Sequence, residues 1–144
     1  MKKGVFAIAL ILAIVIISCE DTVKKLTTTI SGKVTNEGAA VSGAYVILLE
    51  AGNSVSDGLS LSNGMITNSN GDYTMVEVSA GDHYVAAIDD VNNNIIFDMD
   101  TDRIGYYGDL DTLGFTIPRT LHINKGDDIE DINITKLYYL PNGQ

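Results

Sequence analysis

Between Asp90 and Asp102 the chain sets oxygen-bearing side chains at alternate positions: Asp90, Asn92 and Asn94, then Asp98, Asp100 and Asp102. Hard cations favour such sets. Calcium takes about six to eight oxygens at ~2.3–2.6 Å, and a loop curling round an ion turns every second side chain toward it. Counted from Asp90 as first ligand, Asn92 and Asn94 take the third and fifth places. Ile96 offers its backbone carbonyl at the seventh, Asp98 takes the ninth, and Asp102 is a candidate closing carboxylate. No histidine or thiol lies nearby, which argues against a transition metal.

The spacing resembles that of EF-hand and dockerin loops, without two flanking helices. Two positions depart from the pattern. The sixth is Ile95, where glycine is usual, and the twelfth is Thr101, with acids on either side. The two neutral asparagines lower the charge and suit weak binding at extracellular calcium levels. The competing reading is a solvated acidic turn, rich in asparagine because asparagine tolerates turns. Seven acids and one Arg103 lie between Asp89 and Asp111. An ion there would be structural, offsetting repulsion and holding Ile104-Gly105-Tyr106-Tyr107 in place.

Cys19, the only cysteine, is the second residue with chemistry of its own. Lys2 and Lys3 precede an apolar run from Val5 to Ile17, and Ile16-Ile17-Ser18 lead into the thiol. Thirteen residues are too few to span a bilayer, which needs about 20, and they fit a cleaved leader. The pattern resembles the bacterial lipobox. That resemblance implies a signal peptide over residues 1–18, a diacylglycerol-modified and acylated Cys19, and a tether over 19–27. It also implies attachment to the membrane of the bacterial cell envelope through the lipid. Glu20 and Asp21 beside the cysteine resemble a signal for the outer membrane. The alternative is a plain secretory signal with a chance cysteine.

The leader holds two of the nine Lys and Arg residues and none of the 19 acids, so the remainder carries a formal −12 against −10 for the whole chain. Such a surface repels nucleic acid, which excludes it as a partner, and repels anionic headgroups. With its one thiol lipidated, the exported chain has no disulfide to hold it, so burial must do so.

Little else suggests catalysis. His83 and His122 sit in strand-like segments beside apolar residues, no serine stands on an elbow motif, and no glycine-rich phosphate loop follows a strand. The expectation is a non-enzyme, with a small hydrolase as the minor alternative. Tyr106-Tyr107 and Tyr138-Tyr139 are adjacent pairs, and on a strand one ring of each pair faces out. Tyr106 and Tyr107 are therefore candidates for binding a sugar ring or a peptide, against the plainer reading that they pack the ends of the core.

The positioning elements read as strands. Ile30, Gly32 and Val34 alternate with Thr29, Ser31, Lys33 and Thr35, giving one dry and one wet face. Ala44–Leu49 is a solid apolar run, short enough for a buried strand. Asn70-Gly71 reads as a tight hairpin turn between 65–68 and 73–78. Further strands are expected at 83–88, 112–117, 120–124 and from Ile129 onward. Six to eight strands without a helical stripe predict an all-β sandwich over 28–140, with the acidic loop at 89–103.

Ser31-Gly32-Lys33-Val34, Val41-Ser42-Gly43-Ala44-Tyr45-Val46, Thr67-Asn68-Ser69-Asn70-Gly71-Asp72-Tyr73 and Ala80-Gly81-Asp82-His83-Tyr84-Val85 resemble the carboxypeptidase regulatory-like domain. That family implies a single antiparallel, seven-strand, Greek-key sandwich of transthyretin-like fold. It also implies a non-catalytic binding or structural module, with an envelope protein or a glycan as possible partner.

Overall fold

The computed structural model describes residues 27–141, so the expected leader, Cys19 and the tether up to Leu26 lie outside the described residues. Among the described residues there is no helix, and the chain breaks into twelve short strands. In order these begin with β1 (Thr29–Lys33), β2 (Thr35–Asn36), β3 (Ala39–Ala40), β4 (Tyr45–Glu50), β5 (Met65–Ile66) and β6 (Asp72–Val76). They continue as β7 (Gly81–Asp89), β8 (Arg103–Tyr106), β9 (Gly108–Leu110), β10 (Thr116–Pro118), β11 (Leu121–Ile123) and β12 (Asp128–Ile129). The all-β class expected from period-two alternation is what the chain adopts.

Two sheets dominate. One has the order β12-β1-β6, and the other runs β11-β7-β4-β5 with β8 also on β7. The long β7 shares one edge between β11, at Gly81–His83, and β8, at Ala86–Asp89, while β4 takes the other edge. Two expectations need correction. The pairing is not antiparallel throughout, because β12 lies parallel to β1 and Ile134 bridges Val34 in the same sense. The Asn70-Gly71 turn is tight, with Gly71 at φ 79°, but it joins no paired hairpin. β5 pairs with β4 and β6 with β1, so this turn carries the chain from one sheet to the other. Asn68 builds it by accepting from the amides of Asn70 (2.8 Å) and Asp72 (3.0 Å).

The first core lies where the sheets meet. Ile30 and Val34 from the β1 side pack with Val46 of β4, Val85 and Ala87 of β7, and Ile132 and Ile134 of the C-terminal stretch. Gly32 makes that closeness possible, since a Cβ there would stand 2.1 Å from the Ile132 carbonyl oxygen. The buried Tyr73 hydroxyl donates to the same carbonyl at 2.7 Å. A second core forms on the other face of β4, β7 and β8, from Ile47, Ala86, Ile88 and Ile104. Among the described residues, Val55 and Leu61 from the loop after β4 and Phe97 from the acidic loop fill it, with Tyr138 and Leu140 of the C-terminal stretch packed against it. Val85 to Ile88 is unbroken apolar sequence because alternate residues serve two different cores.

Gly32→Ala is expected to cost about 3 kcal/mol through overpacking against backbone, and Tyr73→Phe about 1 kcal/mol through the lost hydrogen bond, both read by urea unfolding. Burial, with a smaller contribution from nearby Tyr107, raises the Tyr73 pKa far above the ordinary phenol value. A raised folded value makes its stabilisation complete below about pH 10 and lost as pH climbs beyond that. Tyr73→Phe should flatten this alkaline fall in stability.

Candidate metal loop

The acidic loop leaves β7 at Asp89 and returns at Arg103, and these two cross-strand partners form an ion pair that closes its base. Just inside, Asp102 is fully buried. Its carboxylate accepts from the amide of Val91 at 3.0 Å and from that of Asp98 at 2.9 Å, fastening both arms of the loop. A buried carboxylate is stable only with such donors around it.

Asp90, also buried, accepts from the amides of Asn94 (3.2 Å) and Ile95 (2.8 Å). That bond holds Ile95 at φ 63°. The left-handed region is rare for a β-branched residue and carries strain of about 1–3 kcal/mol. It is the conformation that glycine supplies at the sixth place of loops with this spacing. Asn92 and Asn94 accept from the amides of Asn94 (3.1 Å) and Ile96 (2.8 Å) through their own carbonyl oxygens. Their amide groups donate to one oxygen of Asp98, at 2.7 Å from Asn92 and 2.6 Å from Asn94. The side chains at 92, 94 and 98 therefore meet at a single point.

Ile96 bridges Ser60, and its neighbours Ile95 and Phe97 direct their carbonyls to the amides of Leu61 and Gly58. In extended backbone the peptide groups alternate sides, so the Ile96 carbonyl faces back toward the loop, as its amide does. Among the described residues, no three His, Cys, Asp or Glu side chains gather as a metal-binding group. The groups that converge here are the two asparagine NH2 groups and one carboxylate oxygen of Asp98, with the asparagine oxygens turned to backbone amides.

The other candidates lie apart from this loop. Tyr106 packs into the second core and Tyr107 against the first, so their half-buried rings face opposite ways and form no common platform. Burial raises the Tyr106 pKa, partly offset by the Val55 backbone beside its hydroxyl. Arg119 lies 5.4 Å from the centre of the Tyr107 ring and pairs with Asp109 at 2.6 Å. Tyr138 stacks edge-on against Phe115 with centroids 5.0 Å apart, while Tyr139 is the open ring of its pair. His122 is exposed and pairs with Asp82 at 2.5 Å, and His83 is half-buried on β7.

Three contributors were missed in the sequence reading: Phe97, which is completely buried, Asp57, whose carboxylate accepts from the Met99 amide at 2.8 Å, and Ser60. The signal for Phe97 was available, as a lone aromatic between two clusters of oxygen-bearing side chains marks an apolar anchor. Nothing near Asp57 in sequence marks it.

Asp102→Ala is expected to destabilise the fold by about 3 kcal/mol, because the amides that fasten both arms of the loop lose a buried charged acceptor. Asp100→Ala, exposed and making no such bond, should change stability by less than about 0.5 kcal/mol. Chemical denaturation of the two variants checks this contrast. The loop has to be read from its own chemistry, since no protein-family model matches the chain and no curated protein matches it either.

Proposed function

We propose that this chain is a bacterial cell-envelope lipoprotein, anchored through Cys19, whose β-domain is a non-catalytic binding or structural module stiffened by calcium on the 90–102 loop. The domain is best read as a transthyretin-like, seven-strand Greek-key sandwich of the carboxypeptidase regulatory-like kind. The lipobox-like Ile16-Ile17-Ser18-Cys19 supports the anchor.

One observation carries the calcium reading: Asn92 and Asn94 converge on Asp98 while Asp90 holds Ile95 in a glycine-like conformation. Asp90, Asn92, Asn94, Asp98 and the Ile96 carbonyl would hold the ion, with the remaining lone pairs of Asp102 behind them. Calcium would supply positive charge where the acids otherwise repel, and nothing more. The two asparagines would present their amide oxygens in place of the nitrogens that now face Asp98. With Tyr106 and Tyr107 on opposite faces, a structural or protein-binding role has more support than a glycan platform.

Calcium at about ten times its dissociation constant should stabilise the folded protein by about 1.4 kcal/mol, a rise of about 5 °C in melting temperature. The pair Asp90→Ala and Asp98→Ala should abolish the rise. No rise in the unaltered protein at millimolar calcium contradicts the metal reading. Mass measurement of the protein from its native cells tests the anchor, where an unmodified Cys19 contradicts it.

A further inference from the structure

We infer that residues 53–63 and 90–102 form one lid over the outer face of the larger sheet, opening and closing as a unit while the first core stays folded. Four hydrogen bonds stitch the segments together. The Gly58 amide donates to the Phe97 carbonyl (2.8 Å), the Phe97 amide to the Leu59 carbonyl (2.8 Å), and the Leu61 amide to the Ile95 carbonyl (2.9 Å). The Met99 amide donates to the Asp57 carboxylate (2.8 Å).

Beneath these bonds the two segments share one apolar cluster. Leu61 and Phe97 are both fully buried, and with Val55 they meet Ile47, Ile88 and Ile104 of the sheet. Neither segment can stay down alone, because each supplies part of the surface that buries the other. Neither belongs to a ladder of the main sheets, the Ser60–Ile96 bridge being their own link. Lifting both therefore breaks no strand pairing in β4, β7 or β8.

The feet of the lid are fixed. Asp89, Arg103 and Asp102 close the base of the second segment, and Gly52 at φ 93° begins the first. The middle of the second segment adopts left-handed backbone at Asn93 (φ 58°) and Ile95 (φ 63°), held by Asp90 within the same segment. Segments with these traits, held by a few local bonds over a discrete cluster, are the ones that open below the global unfolding free energy. Opening bares the parts of Ile47, Ile88 and Ile104 that Val55, Leu61 and Phe97 cover, giving the protein a second state with an apolar face beside Tyr138 and Leu140. This state is defined by hydrogen bonds and burial, so it stands or falls independently of calcium.

Native-state hydrogen exchange on the full chain tests the lid at the amides of Gly58, Leu61, Phe97 and Met99. All four should share one opening free energy, below that of the β1 amides at Ile30 and Gly32. Phe97→Ala should speed exchange at Gly58 and Leu61 as much as at Met99, by roughly a hundredfold or more, with the β1 amides still slower than all three. Asp57→Ala is the gentler variant, and should speed Gly58, Leu61 and Phe97 together by about tenfold. Acceleration confined to one segment, or a common rate for lid and β1 alike, overturns the inference.

Discussion

A sheet that is apolar on both faces must be covered twice, and most of this structure follows from that requirement. Val85, Ala86, Ala87 and Ile88 leave β7 no wet side. The smaller sheet covers one face, at the price of a glycine at position 32 where the backbones nearly touch. Among the described residues, the other face is covered by loop residues and the C-terminal stretch. Burying Phe97 there contributes about 2–3 kcal/mol, and it is the acidic loop that delivers the ring.

That delivery explains the loop's polar detail. A segment with this many carboxylates would stand off in water unless its backbone were tied down. Asp102 ties both arms from inside, Asp89 and Arg103 close the base, and Asp90 fixes the turn at Ile95. The same ties bring Asn92, Asn94 and Asp98 to one point. Packing and the proposed ion site are thus two consequences of one constraint. The apolar residues choose where the loop goes, and the carboxylates of Asp90 and Asp102 choose the shape it takes there.

Much of this was legible in the sequence, because period-two alternation reports burial directly. Ile30 and Val34 are buried and Lys33 exposed, as their alternation implies, and the apolar run at 44–49 falls largely on β4, with Ala44, Val46 and Ile47 buried. The side chains of Asn92 and Asn94 do turn to Asp98, but through their amide nitrogens, their oxygens being taken by backbone amides. What could not be read was long-range. Asn70-Gly71 marks a tight turn but not which partners its flanks take, since pairing depends on strands elsewhere. The parallel course of β12 beside β1 depends on contacts about a hundred residues apart. Adjacency sends Tyr106 and Tyr107 to opposite faces, as the alternation implies, but which core each ring packs against is again set by distant partners.

The most direct measurement is anomalous diffraction from crystals grown with calcium, examined at the 90–102 loop. The account expects a peak ringed by Asp90, Asn92, Asn94, Asp98 and the Ile96 carbonyl, with Phe97 seated in the second core. A loop without a peak, its two asparagine nitrogens still donating to Asp98, would contradict it.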